Sequence, residues 1–248
     1  MLGLRKGQRS LDPLLHNLRA GHPTLRGMDA GLLPVKRFGR AKARLGADLE
    51  REERVLVARA LWEDALDLCE RVDFLAWWVI TDDPDLVAEA SDRGFGAIQD
   101  RGEGLNAALT EGIEAVKAAG AASITVLPCD VPLTREDDLR DLLDTGATSD
   151  VVVVPSGQDG GTNGLYVAPP DLIRPQFGPA SLQAHLTLAR RRGCRCTILP
   201  LPRLALDIDT PSDVRALLAR PPGEDGRTAK LLRGLREWTS GEEPASGG

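Results

Sequence analysis

Three aspartates and one crowd of cations are the residues in this chain best suited to chemistry. Asp130 ends the apolar run Ser123-Ile124-Thr125-Val126-Leu127-Pro128-Cys129 and lies between Pro128 and Pro132. Asp207 and Asp209 alternate in Leu206-Asp207-Ile208-Asp209-Thr210-Pro211. Alternate side chains of an extended segment share a face, so the two carboxylates should point together while Ile208 faces inward. Mg²⁺ takes hard oxygen ligands, usually one or two carboxylates with substrate phosphates completing the shell. Asp130, Asp207 and Asp209 are therefore the candidate metal ligands. The plainer reading is conformational, because Asp commonly closes turns before proline and Asp209-Thr210-Pro211 is also a helix-capping sequence. A cap and a ligand can be neighbouring atoms, and both readings stay open.

Lys36, Arg37, Arg40, Lys42 and Arg44 crowd one short loop of a chain whose formal net charge is −6. Such a patch suits a small polyanion, for example a triphosphate whose leaving group gathers charge that Lys and Arg can neutralise. The alternative is a solvated basic face. Gly102-Glu103-Gly104-Leu105-Asn106-Ala107 fits the dinucleotide pattern G-x-G-x-x-A. It falls mid-chain, however, and Glu103 would set a negative charge beside the pyrophosphate, which argues against a dehydrogenase. The loop better serves a base and ribose, Gly104 permitting close approach and the Asn106 amide able to donate and accept. Gly161-Thr162-Asn163 and Phe177-Gly178-Pro179-Ala180-Ser181 can make a second anion site, from the N–H groups of a helix starting near Pro179 and the hydroxyls of Ser181 and Thr162. Ordinary turn chemistry explains the same residues equally well. His185, one turn beyond Ser181, reads as structural and takes no part in the mechanism.

The elements that must position these residues repeat as strand and helix. Strands are expected at about 31–35, 75–81, 96–99, 123–127, 151–155, 165–168 and 196–201. Residues 50–72 form an amphipathic helix with Val55, Ala58, Trp62, Ala65, Leu66 and Cys69 on one face. Further helices are expected after Asp83-Pro84, from about 105 to 119, 135 to 143 and 181 to 192, and after Thr210-Pro211. Residues 156–164, with four glycines, read as a flexible loop. This alternation predicts a single α/β domain with a mostly parallel, Rossmann-like sheet. Asp130 then stands at a strand's carboxyl end, where open α/β sheets bind their ligands. Residues 1–27 are expected to be an extension or a mis-assigned start before Met28, 28–220 the domain, and 221–248 a frayed tail. The tail's patch, Leu231, Leu232, Leu235 and Trp238, should either dock on the domain or meet a second subunit in a homodimer.

Composition narrows the class. The acidic balance gives no reason to expect a nucleic-acid polymer or an anionic membrane as partner. No apolar stretch approaches the ~20 residues that span a bilayer. The four cysteines, Cys69, Cys129, Cys194 and Cys196, include no C-x-x-C pair, so reduced thiols and a cytoplasmic location are expected.

In this order the pieces resemble the nucleotidyltransferases with a Rossmann-like sheet, and more narrowly the guanylyltransferases of deazaflavin coenzyme F-420 biosynthesis, the CofC type. The resemblance rests on Pro34-Val35-Lys36-Arg37-Phe38 with Ala41-Lys42-Ala43-Arg44-Leu45, Gly104-Leu105-Asn106-Ala107, and Leu127-Pro128-Cys129-Asp130-Val131-Pro132-Leu133. Gly161-Thr162-Asn163, Phe177-Gly178 with Ser181 and His185, and Leu206-Asp207-Ile208-Asp209-Thr210-Pro211 complete it. It implies that Asp130, Asp207 and Asp209 hold Mg²⁺, as two ions, and that Lys36 and Lys42 act with Asp130 in catalysis. It places the GTP phosphates along Lys36, Arg37, Lys42 and Arg44, the nucleoside near Gly104 and Asn106, and a phosphorylated three-carbon acid at Thr162, Gly178 and Ser181. The acid would be phosphoenolpyruvate or 2-phospho-L-lactate, and the product would pass to a downstream transferase. Three positions depart from the pattern: Ala43 where a hydroxyl is common, Ala180 for a usual glycine, and Gly164 where a larger residue is expected. A phosphate monoester has its second pKa near ~6, so the acceptor is already ionised at neutral pH and no general base is needed. The alternatives are a molybdopterin or sugar-phosphate nucleotidyltransferase, disfavoured by the absence of a Gly-rich signature after the first strand, and a non-catalytic nucleotide-binding regulator, which predicts lost carboxylates.

Overall fold

The computed structural model describes residues 27–40, 42–157, 160–220 and 226–235. The elements run β1 (Asp29–Pro34), α1 (Arg51–Arg71), β2 (Ala76–Thr81), α2 (Pro84–Asp92), β3 (Gly96–Gln99), α3 (Leu105–Ala118) and β4 (Ser123–Val126). They continue with α4 (Glu136–Gly146), β5 (Val151–Pro155), β6 (Thr162–Val167), α5 (Ser181–Arg192), β7 (Cys196–Ile198), α6 (Pro211–Leu218) and α7 (Arg227–Leu235). Two short 3-10 turns, Phe38–Arg40 and Ala43–Ala47, carry the basic loop.

One seven-stranded sheet has the order β3-β2-β1-β4-β6-β5-β7. β1 pairs in parallel with β2 and β4, β2 with β3, and β5 with β7, while β6 runs antiparallel between β4 and β5. The strands are β-branched and apolar because helices cover both faces of the sheet, so β4 is buried at every position. One cluster packs α1 and α4 on one face, and the other packs α3 and α5 on the opposite face. The helix starts follow their expected chemistry. Asp83 accepts from the Asp85 N–H with Pro84 in the first turn of α2, and Thr210 forms a capping box with Asp213 ahead of Pro211 in α6.

Several expectations are corrected. The flexible loop expected over 156–164 ends early, because β6 begins at Thr162 rather than at residue 165. Gly164 therefore sits inside the sheet, where a Cβ would come 3.0 Å from Val154 and 3.2 Å from Leu204, and this explains the absence of a larger side chain. The last strand stops at Ile198, three residues short of the expected Leu201.

α1 buries a second face: Val57 and Leu61 are 0% and 1% exposed, while Val55, expected inside, is half-buried. The covering element is α7, part of the expected frayed tail. Its N-terminus is held by Asp64, which accepts from the N–H groups of Arg227 (2.8 Å) and Thr228 (2.9 Å). Ala229 and Leu232 then complete an apolar cluster with Val57, Leu61, Val214 and Leu217. The leucine patch thus docks on the domain. Trp238, Met1 to Arg26 and the rest of the expected tail lie outside the described residues. All four cysteines are free, and no described helix is long and apolar enough to cross a membrane.

Candidate active site

A cleft of about 600 Å³ opens at the carboxyl ends of β1, β2, β3 and β4. β1 delivers Pro34 to Phe38, β2 delivers Asp82, β3 delivers Asp100, and β4 delivers Pro128, Cys129 and Asp130. The start of α3 adds Gly102, Gly104, Leu105 and Ala108, and Lys42, Phe177 and Asp209 close the rim. Ile80, Ala108, Leu109 and Val126 make part of the wall apolar, so the cleft has a greasy side and an ionic end. That division suits a ligand with a flat organic part and a charged tail.

The ionic end is built by one backbone contact. The Ile208 N–H donates to the Asp130 carbonyl at 3.0 Å, which lays residues 207–209 against the end of β4. Ile208 is 0% exposed and anchors the segment in the cluster around Leu45 and Val214. Asp209 is thereby brought to Asp130, and Lys42 Nζ sits between them, 2.8 Å from Asp130 Oδ2 and 2.9 Å from Asp209 Oδ1. The Lys42 side chain is 8% exposed. Burial alone would depress this ammonium, but Asp130 and Asp209 hold it above its ordinary value, so it stays charged. Its backbone is left-handed, with φ 55° and ψ 36°, an uncommon conformation for a residue with a Cβ, kept here by what the side chain reaches.

The rest of the basic loop disperses. Arg37 donates to the Asp82 carbonyl at 2.7 Å and faces its carboxylate at 3.4 Å. Arg44 is 69% exposed and only approaches Asp209, at 3.8 Å. Lys36 is exposed along the cleft. Among the described cations of the loop, Lys42 is drawn inside while Lys36, Arg37 and Arg44 stay exposed.

Asp207 does not join the other two carboxylates at one point. Its Oδ1 accepts from the Asn163 amide at 2.9 Å, and the same amide nitrogen donates to the Leu204 carbonyl at 2.8 Å, tying Asp207 to β6. Burial raises its pKa, the Asn163 bond lowers it in part, and Asp130 and Asp209 add to the rise. Among the described residues no group of three or more His, Cys, Asp or Glu side chains is arranged to hold a metal. Of the three expected carboxylates, Asp130 and Asp209 share Lys42, whereas Asp207 is bonded to Asn163. Asp130 and Asp209 still fit a divalent ion, because two carboxylate oxygens converge on one point that already holds a cation, and phosphates supply the remaining ligands of Mg²⁺. Cys129 lines the cleft beside them, but burial first and Asp130 second push its thiol up to about 12, so it is no nucleophile at neutral pH.

The residues expected at the nucleoside are also arranged differently. Gly104 precedes α3 with φ 105° and has open space where a Cβ would stand, consistent with close approach of a ligand. The Asn106 amide, expected to meet the base, is spent on backbone: Nδ2 donates to the Phe177 carbonyl at 3.0 Å, and Oδ1 accepts from the Phe177 N–H at 2.7 Å.

Thr162 and Ser181 are brought together, 4% and 1% exposed, with the Ser181 hydroxyl donating to Thr162 Oγ1 at 3.2 Å. Neither lines the cleft. Gly178 lies at the surface of an adjoining hollow of about 540 Å³ with Arg174, Asn106 and Phe177. Ala180 is exposed, and its departure from the usual glycine is a backbone matter, since its φ is 58°. Ala180→Gly is therefore expected to raise unfolding free energy by about 1 kcal/mol, left-handed strain being partly offset by the freer unfolded glycine. The shift in denaturation midpoint at constant m-value checks this.

Asp82 and Asp100, which line the cleft directly after β2 and β3, are not among the residues singled out by the sequence pattern, while Asp130 stands farther beyond β4. The strand-end rule that singled out Asp130 applies to them equally, but their Pro- and Gly-flanked settings read as caps and turns. Asn163 is expected only as part of the second anion motif, and its bonds to Leu204 and Asp207, more than forty residues away, carry no local signal.

The model of the family described as guanylyl transferase CofC like matches residues 30–246. A phosphoenolpyruvate guanylyltransferase of Conexibacter woesei is 37% identical over 82% of this chain and 95% of its own. A 3-phospho-D-glycerate guanylyltransferase of Phenylobacterium zucineum is 35% identical over 84% of this chain and 97% of its own. A 2-phospho-L-lactate guanylyltransferase of Methanothermobacter thermautotrophicus is 32% identical over 83% and 90%. Among solved structures, a protein described as a nucleotide-diphospho-sugar transferase of Desulfovibrio desulfuricans G20 superposes with TM-score 0.70 at 19% identity, over 84% of this chain and 95% of that one, a likeness of fold.

Proposed function

Since the chain belongs to the CofC-like guanylyl transferase family and is a nucleotidyltransferase, we propose that it transfers GMP from GTP to the phosphate of a three-carbon acid. An oxygen of the acceptor phosphate bonds to the α-phosphorus of GTP, the bond from that phosphorus to the bridging oxygen breaks, and pyrophosphate leaves with the electron pair. The acceptor enters already ionised, so the chain supplies no base. Its task is to align two anions and screen their repulsion. The relatives named above act on phosphoenolpyruvate, 3-phospho-D-glycerate and 2-phospho-L-lactate, which share one phosphate and one carboxylate on three carbons.

The observation that carries this reading is the convergence of Asp130 and Asp209 on Lys42 at the ionic end of the cleft. Asp130 and Asp209 would hold Mg²⁺, which supplies charge neutralisation at the transferring and leaving phosphates. Lys42, charged and within reach of the same point, and Lys36 on the rim attract the triphosphate. Gly102 and Gly104 leave room for the nucleoside along the apolar wall of Leu105 and Ala108. The acid is assigned to the turn from Phe177 to Ser181, and the coenzyme F-420 route is the pathway this activity would serve.

The test is pyrophosphate release with each nucleoside triphosphate, Mg²⁺, and phosphoenolpyruvate, 2-phospho-L-lactate or 3-phosphoglycerate in turn. Release with GTP and one of these acids is expected. No release from any pair overturns the reading.

A further inference from the structure

The segment that carries Gly178 and Ser181 is held at two points by side chains from two other elements. At its start, the Asn106 amide of α3 pairs with both backbone groups of Phe177, at 3.0 and 2.7 Å, in the manner of a one-residue strand ladder. Behind it, His185 of α5 is 0% exposed and uses both ring nitrogens. The Gln176 N–H donates to Nε2 at 2.9 Å, so Nε2 is the unprotonated nitrogen and Nδ1 carries the proton. Nδ1–H therefore donates to Thr162 Oγ1, 3.0 Å away. Thr162 Oγ1 also accepts from the Ser181 hydroxyl, so its two lone pairs are filled and its own proton is directed elsewhere. The Phe177 ring closes the assembly edge-on against the imidazole, with centroids 5.3 Å apart at 70°. Burial pushes the imidazole down to about 4, so the ring is uncharged at neutral pH, and its two hydrogen bonds set the tautomer.

We propose that Asn106 and His185 are positioning residues for the acceptor acid: they fix the turn from Gln176 to Ser181 between α3 and β6 and thereby set the acid's site without touching the nucleotide. The inference rests on the assignment of the acid to that turn. It gives Asn106 a different task from reading the base, and it gives a role to a histidine whose position alone reads as core packing. Because α3 also borders the cleft through Leu105 and Ala108, the Asn106 clamp ties the acceptor turn to the helix that flanks the nucleoside.

Steady-state kinetics with each substrate varied in turn separates the possibilities. Asn106→Ala, an exposed position whose loss the fold should tolerate, is expected to raise the acid KM about tenfold and leave the GTP KM within about twofold. His185→Leu should do the same, and His185→Asn, whose amide can keep a donor near Thr162, should recover part of the loss. Ser181→Ala is run alongside to test the assignment of the acid. If Ser181→Ala leaves the acid KM unchanged, the acid lies elsewhere and both the assignment and the inference fall. If Ser181→Ala raises it while Asn106→Ala raises the GTP KM, or neither, only the positioning role falls. Should His185→Leu fail to fold, Asn106→Ala alone decides.

Discussion

Asp130→Asn is expected to slow pyrophosphate release about 10²- to 10³-fold while leaving the far-UV circular dichroism and the thermal midpoint close to those of the unaltered chain. The size is that of removing one preorganised charged group from a phosphoryl-transfer site. The fold should survive because asparagine is isosteric, Asp130 is 25% exposed, and the contact that anchors residues 207–209 uses the Asp130 carbonyl rather than its side chain. Lys42 would keep Asp209 as partner. Asp209→Asn should behave like Asp130→Asn, since the two carboxylates meet at one point. Asp207→Asn should cost no more than about tenfold, the cost of disturbing a supporting hydrogen bond to Asn163. Equal losses for Asp207 and Asp130 would falsify the two-carboxylate geometry and restore the three-ligand site that the sequence pattern implied.

Acidification from about pH 6.5 to about pH 4 is expected to remove on the order of 3 kcal/mol of unfolding free energy through His185 alone. The sign follows from which state binds the proton. In the unfolded chain the imidazole takes a proton below its ordinary value of 6.5, whereas the folded chain resists until about 4, because burial disfavours the cation. Between those values the unfolded state holds the extra proton, so stability falls as pH falls. Above 6.5 both states are neutral and the residue contributes no pH dependence. The loss is complete near pH 4, below which both forms are charged. Urea titrations at pH 7.5 and 4.5 on this chain and on His185→Asn measure it. The difference between the two pH values should shrink by most of that amount in the variant, and an unchanged difference would remove His185 as the source.

Much of the framework was legible because the signals that specify it are local. The run Val151-Val152-Val153-Val154 has no polar face and must be covered on both sides. Asp83-Pro84 and Thr210-Pro211 open helices through groups only two or three residues away. The position of Asp130 just beyond the end of β4, which stops at Val126, follows from the same short-range pattern. What was misread depended on partners far along the chain. The second buried face of α1 is meaningless until α7 covers it, and β6 starts at Thr162 because its neighbours are β4 and β5. Asn106 reads as a free amide until Phe177, seventy-one residues away, takes both its groups.

The sequence by itself determined the class of fold, the strand end on which Asp130 stands, and a family resemblance strong enough to fix the type of reaction. Those rest on side-chain patterning over a few residues, which the backbone must obey wherever it goes. Only the tertiary structure decided which charges meet. Among the described cations of the loop it placed Lys42 between Asp130 and Asp209, tied Asp207 to Asn163, and left Arg44 in solvent. Coulomb energy falls with distance and with solvent exposure, so identical residue types become a part-buried charge cluster or an ordinary wet surface according to a few ångströms that no local pattern encodes.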